Sequence, residues 1–380
     1  MANGYALPIL QHITAMTGTN PARKLSPLGF TQMLLSRMDD SVQWSQQYKD
    51  GHETSLKVKF RRRPLKSEVR DTDGGCDVAA TPTYEEFTVP GLLHREISFY
   101  MSNAQIRQYT KDVSQFVKLQ AVGGTSPDNA TISQESNVMK EVYDLFLEYG
   151  AVLLASINEA LVGQASTQFG VNTVTGVNTA RALTFSLGTV AMQDALVQLM
   201  TDLRENEMSD DVSMVGSGAF ANLDLVKKFY SQMASNQGVN MAALNNNFPS
   251  VFFDKDCRTI WGDNNIGVFA KGSAHLLSRN YYVGNFAGQL ANSVFFTMAL
   301  PVNELAVPQP FLDRMIFDVQ IREIDCATEV VINGVPTSVK EGVQVFLKKD
   351  FSLFTLPEMY RTGDPLLGTN GTLRYAITGT

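Results

Sequence analysis

Val138-Met-Lys-Glu-Val-Tyr-Asp-Leu-Phe-Leu-Glu-Tyr-Gly-Ala-Val-Leu-Leu-Ala-Ser-Ile-Asn-Glu-Ala-Leu161 is the stretch that decides the fold. Apolar side chains recur at Val138, Val142, Leu145, Tyr149, Val152 and Ala160, with Met139, Phe146, Leu153, Ile157 and Leu161 beside them. Spacings of three and four describe one face of a helix. Thr131 and Gln134 upstream offer a capping box, so the helix is expected over 134–161, roughly 40 Å long at 1.5 Å per residue. That exceeds an ordinary globular helix, and Gly150 in its middle is a place for it to bend.

On the N-terminal side, Ser55-Leu-Lys-Val-Lys-Phe-Arg61 alternates strictly, with Leu56, Val58 and Phe60 on one face and Lys57, Lys59 and Arg61 on the other. This is the pattern of a half-buried strand. Strand patterns return at Glu86–Val89 and Glu96–Met101, and between them and the first strand lies Pro64–Thr83, rich in charge and centred on Asp73-Gly74-Gly75. A structureless loop of that length is uncommon inside a domain, so it reads as the tip of a two-stranded arm leaving the body. Such an arm is marginal in water by itself and calls for a neighbour to hold it. Before it, prolines and glycines break up residues 1–50, leaving a short helix from about Pro27 to Ser36 in an otherwise extended arm.

On the C-terminal side a helix is expected over Ala191–Glu207, a strand at Val212–Val215, a helix over about 222–234, and strands from there to Leu300. Met315–Ile324 alternates, and Asn333-Gly334 and Asn370-Gly371 are hairpin signals. Helices and strands follow no regular βαβ order, so the class is α+β.

Composition narrows the function. The 380 residues are 44% hydrophobic but only 18% charged, below the roughly 25% of an average domain, which suits a surface buried against partners. A net charge of -7 argues against a dedicated nucleic-acid binder, whose affinity would rest on neutralised phosphates. Cys76, Cys257 and Cys326 form no paired motif and read as reduced thiols. The start lacks the pattern of a signal peptide, and Ala151–Ala155, the most apolar stretch, is too short to cross a bilayer. A chain made in the cytoplasm with no membrane partner is expected.

The motif most suggestive of an enzyme is Gly216-Ser-Gly-Ala-Phe-Ala221, a GxGxxA pattern between a strand and a helix. A dinucleotide site also wants an acidic residue about twenty positions on, and Leu225–Phe253 contains no Asp or Glu. The glycines are read as a tight turn, and a nucleotide-binding enzyme is the weaker reading. His12, His52, His94 and His275 have no metal spacing. No catalytic, cofactor-binding or metal-ligating residue is therefore assigned. The feature that stands out is charge: Lys57, Lys59, Arg61, Arg62, Arg63, Lys66 and Arg70 put seven cations into fourteen residues, with Glu68 among them and Asp71 just beyond. A solvated strand face and a nucleic-acid patch are alternatives, but few aromatics are interleaved for stacking. Contact with acidic patches of a neighbouring subunit is favoured.

The order of these parts is similar to that of the major capsid proteins of tailed double-stranded DNA bacteriophages, the Hong-Kong-97-like fold. The likeness is carried by Val212-Ser-Met-Val-Gly-Ser-Gly218 and Gly267-Val-Phe-Ala-Lys-Gly-Ser-Ala-His-Leu276, then Phe317-Asp-Val-Gln-Ile-Arg-Glu-Ile-Asp-Cys326, Asp350-Phe-Ser-Leu-Phe-Thr-Leu-Pro357 and Gly368-Thr-Asn-Gly-Thr-Leu373. The resemblance implies an N-terminal arm (1–49), an extended loop (50–101), a peripheral domain with the spine helix (102–189 and 311–380) and an axial domain (190–310). It implies hexamers and pentamers closing into an icosahedral shell around packaged DNA, in a virion capsid assembled in the bacterial cytoplasm. Portal, scaffold or decoration proteins would be further partners, and no cofactor is expected. An encapsulin-type compartment, a shell of the same fold around an enzyme cargo, is the runner-up. Some members crosslink a loop lysine to a neighbour's asparagine; Lys57, Lys59 and Lys66 are available in the loop, but such a bond needs a positioned, desolvated amine, and crosslinking is not expected.

Overall fold

The computed structural model describes residues 29–37, 42–44, 56–61, 84–89, 91–123, 137–184, 190–208, 212–217, 250–280, 288–290, 293–299, 316–324, 328–332, 335–339, 342–357 and 369–378. In chain order these form α1 (Gly29–Arg37), β1 (Val42–Trp44), β2 (Leu56–Arg61), β3 (Tyr84–Val89), β4 (Leu93–Ser102), α2 (Asn103–Gly123) and α3 (Asn137–Ser166). There follow β5 (Arg181–Thr184), α4 (Val190–Glu205), β6 (Val212–Gly216), β7 (Ser250–Phe253), α5 (Asp256–Trp261), β8 (Asn265–Ala270) and β9 (Ala274–Arg279). The chain continues through β10 (Gly288–Leu290), β11 (Ser293–Ala299), β12 (Ile316–Ile324), β13 (Thr328–Ile332), β14 (Val335–Val339), β15 (Gly342–Thr355) and β16 (Thr372–Thr378).

Helix α3, at the position expected for the spine helix, runs for 30 residues, about 45 Å at 1.5 Å per residue. It starts three residues later and ends five later than the sequence pattern implied; the Thr131–Gln134 capping box lies outside the described residues. By length and composition α3 could cross a bilayer. Here its stripe of Met139, Phe146, Leu153, Ile157 and Leu161 is buried in the protein, as in the core helix of a folded domain. It lies on β4 and β15, where Phe99 meets Phe146 edge-to-face at 5.0 Å. Gln164 fastens its end to the sheet: Leu353 N donates to Gln164 Oε1 at 2.8 Å, and Gln164 Nε2 donates to Ser352 Oγ at 3.2 Å.

The sheet beneath α3 has the order β10-β11-β12-β15-β4, with β9 pairing the far half of β15. β15 is 14 residues long because it serves both: Gly342–Phe351 pairs β4 and Asp350–Thr355 pairs β9. Its alternate residues Val343, Val345, Leu347, Phe351 and Leu353 are buried in the main core. A second sheet, β5-β16-β8-β6-β7, carries a smaller core of Leu199 and Leu203 from α4 against Met214, Val268, Leu373 and Ile377. Its other face joins the main core through Val215 and Phe269. There Trp261 sits among Phe30, Phe169 and Phe269, and its Nε1 donates to Val162 O of the spine at 3.0 Å.

The sheets run across the positions 189/190 and 310/311. β5 and β16 pair with strands of the 190–310 segment, while β9 and β11 belong to the sheet of β12 and β15. Asn370-Gly371 does not turn a hairpin. Gly371 takes φ +82°, Asn370 Oδ1 accepts Thr372 N at 3.0 Å, and both edges of β16 pair with distant strands, β5 and β8. The turn therefore starts a strand. Asn333-Gly334 does lie between paired strands, with Ile332 opposite Val335. The helix expected over 222–234 lies outside the described residues.

Helix α2 was not foreseen. Its signal is a capping box one turn from β4: Ser102 N donates to Gln105 Oε1 at 3.0 Å and Gln105 N to Ser102 Oγ at 3.4 Å. Ile106, Tyr109 and Val113 then point into the core.

Candidate intersubunit interface

The arm is built on three strands, not two. β2 pairs antiparallel with β3 from Leu56↔Val89 to Arg61↔Tyr84, and on its other side with the short β1. The alternation divides it as the sequence implied. Val58 and Phe60 are buried and pack with Val42 against Leu277 of β9 and Phe354 of β15. Phe60 lies 6.2 Å from Phe354 and stacks on Phe87 at 5.4 Å. The third strand and this apolar foot answer the instability expected of an isolated arm.

Lys57 and Lys59 stand on the opposite face, about half exposed, and reach the same carboxylate: Lys57 Nζ lies 3.3 Å from Glu86 Oε1 and Lys59 Nζ 3.6 Å from Glu86 Oε2. Glu86 is the direct cross-strand partner of Lys59, with Lys57 diagonal to it. Exposed pairs of this kind contribute roughly 0–1 kcal/mol, so they orient the lysines more than they hold the strands. Part of the positive charge is thus met within the hairpin, which the sequence reading missed although Glu85 and Glu86 stood in the returning strand. Tyr84, on the lysine face opposite Arg61, is 67% exposed, so aromatic surface accompanies the cations after all. Arg61 ends β2 opposite Tyr84. Arg62, Arg63, Lys66, Glu68, Arg70 and Asp71 lie outside the described residues.

The glycine motif begins at the end of β6. Among the described residues its setting is not a doubly wound sheet: β6 has β7 parallel on one side and β8 antiparallel on the other. Gly218 to Ala221 lie outside the described residues. The nearest acidic residue beyond β7 is Asp254, buried and occupied by main-chain and amide donors: its Oδ2 accepts Phe30 N at 2.7 Å and its Oδ1 accepts Asp256 N at 2.8 Å. It is a structural cap, not a ribose ligand. Cys257 is buried beside Asp254 and Asp256, and burial with those two carboxylates pushes its thiol far up, which disfavours a nucleophilic role. No group of three or more His, Cys, Asp or Glu suited to a metal occurs among the described residues. His94 contacts Asp350 at 2.7 Å, and Arg279 holds the other oxygen of that carboxylate at 3.0 Å, so the contact ties β4 to β15 and β9.

No protein-family model matches the chain, and no curated protein sequence matches it. Among solved structures it is similar to the cyanophage A-1(L) capsid asymmetric unit, at 10% identity and TM-score 0.44 over 92% of each chain. It is also similar to the capsid of cyanophage P-SCSP1u, at 8% identity and TM-score 0.40 over 86% of this chain and 84% of that one. A virus-like particle from Pyrococcus furiosus aligns at 9% identity and TM-score 0.33, over 83% of this chain and 85% of the other.

Proposed function

We propose that this chain is the repeating subunit of a closed protein shell, and specifically the major capsid protein of a tailed double-stranded DNA bacteriophage. The observation that carries the reading is the basic hairpin: its foot is fixed to the body by Val58, Phe60, Leu277 and Phe354, with Phe87 stacked on Phe60, while Lys57, Lys59 and Tyr84 face outward. An exposed aromatic ring on a pre-positioned strand pair favours a protein partner, because rigid apolar area is buried there at small entropic cost. Cations beside that ring favour an acidic one, and a chain of net charge -7 supplies acidic surface in its own copies.

In this reading the arm of residues 1–49 and the loop of 50–101 lie on neighbouring copies. The long helix α3 and the sheet under it form a peripheral domain. The second sheet, β5-β16-β8-β6-β7, together with α4 forms the axial domain around which hexamers and pentamers gather. DNA is enclosed, not gripped, which suits the acidic balance, and the chain has no catalytic role. Replacing Lys57 and Lys59 together with Glu tests it: assembly should fall at least tenfold while the soluble, folded body remains. Normal particles with changed nucleic-acid retention would instead make the face an internal DNA contact.

A further inference from the structure

The loop between α3 and β5 is shaped by buried hydrogen bonds and yet shows apolar side chains to water. It closes between Asn172 and Val177: Asn172 N donates to Val177 O at 3.0 Å, and Thr175 N and Gly176 N donate to Asn172 O at 3.1 and 2.7 Å. Gly176 makes the turn with φ +71°. Val174 N donates to Asn172 Oδ1 at 3.0 Å. Asn206, directly after α4, supports the loop from below. Its Oδ1 accepts Thr173 N at 2.9 Å, and its Nδ2 donates to Asn172 Oδ1 at 3.1 Å. Both asparagines are at most 3% exposed, whereas Val174 and Val177 at the tip are each 46% exposed.

One exposed valine is ordinary, but two on a single tip shaped by two buried amides are a presented surface. A loop already in its bound shape loses little freedom on contact, so its apolar area counts nearly in full. The chemistry of the occupant follows from charge and size. Residues 160–180 include no Asp, Glu, Lys or Arg, so the contact is apolar and is not steered by charge. Two valines cover a small part of the roughly 1,000 Å² that a free-standing interface needs. The tip therefore cannot recruit a partner by itself; it fits one that other contacts already hold beside it.

We infer that Val174 and Val177 bury against a second copy of this chain. The inference rests on the shell reading, in which the basic hairpin holds neighbouring copies close enough for a small contact to count. An uncharged tip also suits an assembly of identical subunits, where a charge near a symmetry axis would meet its like. The hairpin contact is electrostatic and weakened by salt, whereas this one is apolar and salt-independent, so the two supply different parts of the same association.

The test uses the purified full chain under conditions in which wild type forms particles. Val174→Asp combined with Val177→Asp should raise the concentration needed for assembly at least tenfold, while the thermal melt of the free subunit stays that of wild type. Independently, a photocrosslinking p-benzoylphenylalanine placed at Val177 and mixed with excess wild-type chain should give an adduct of two chains in particles and none in free subunits. Assembly of the folded double variant at wild-type concentrations, or particles without the adduct, would overturn the inference and leave the shell reading standing. A wild-type chain that forms no particles under any condition would overturn both.

Discussion

Asn158, in the middle of the spine helix, donates through Nδ2 to the buried carboxylate of Asp254 at 2.8 Å and to Asp256 at 2.7 Å. The same amide accepts Thr31 N at 3.1 Å and Thr31 Oγ1 at 2.9 Å. One side chain with 0% exposure thereby joins the spine, the start of α1 and the strand-to-helix corner between β7 and α5. Asn158→Leu keeps the volume but leaves those groups unpaired, which should lower stability by about 2–4 kcal/mol. Asp254→Ala, which removes the cap from Phe30 N, should cost a similar amount. Urea unfolding of both variants checks this; a change below about 0.5 kcal/mol would mean that water replaces the lost partners.

Two glycines of unlike surroundings should respond oppositely to alanine. A Cβ on Gly29 would collide with the backbone of Phe253, overlapping its carbonyl, whereas a Cβ on Gly163 meets nothing within 4 Å. Gly163 lies within α3, where alanine should stabilise by about 0.4–1 kcal/mol. Gly29→Ala should destabilise by at least 2 kcal/mol, because main chain cannot move aside as a side-chain tip can. Paired thermal melts would show shifts of opposite sign.

Asp202 gives a pH prediction. Burial, the largest cause, raises its carboxyl above the ordinary 3.8, against the lowering influence of Arg181, Asn172 and Tyr375. The folded chain therefore binds this proton more tightly than the unfolded chain does. Its contribution to stability is full below pH 3.8 and is lost as pH rises from there through the folded value. The stability difference between wild type and Asp202→Asn should shift against wild type across that window, then level off. A difference that moves the other way in matched denaturation series would show that the Arg181 pair outweighs burial.

Much of the core was legible because it is local and periodic. The α3 stripe, the alternation of β2 and β12, and the pairing of β13 with β14 on either side of Asn333-Gly334 are each written within a few residues. Ser102 and Gln105 were equally legible as a capping box and announce α2. The second sheet was not, since β16 finds β8 and β5 across long sequence separations and no local pattern specifies the partner. Asn370-Gly371 misled for the same reason: its turn chemistry is real, but the ladder that follows is non-local. On the basic hairpin, the exposed lysines followed from alternation, whereas the Glu86 bridge depends on register, which composition does not encode.

Assembly tests the central claim most directly. The purified chain should be followed by sedimentation velocity over a wide concentration range, with negative-stain electron microscopy of the fast fractions. The account predicts closed particles, or rings of five and six subunits, in equilibrium with little free monomer, and the Lys57→Glu, Lys59→Glu variant should shift to monomer. A chain that stays monomeric up to its solubility limit, with wild type and variant sedimenting alike, would contradict a shell subunit built on that hairpin.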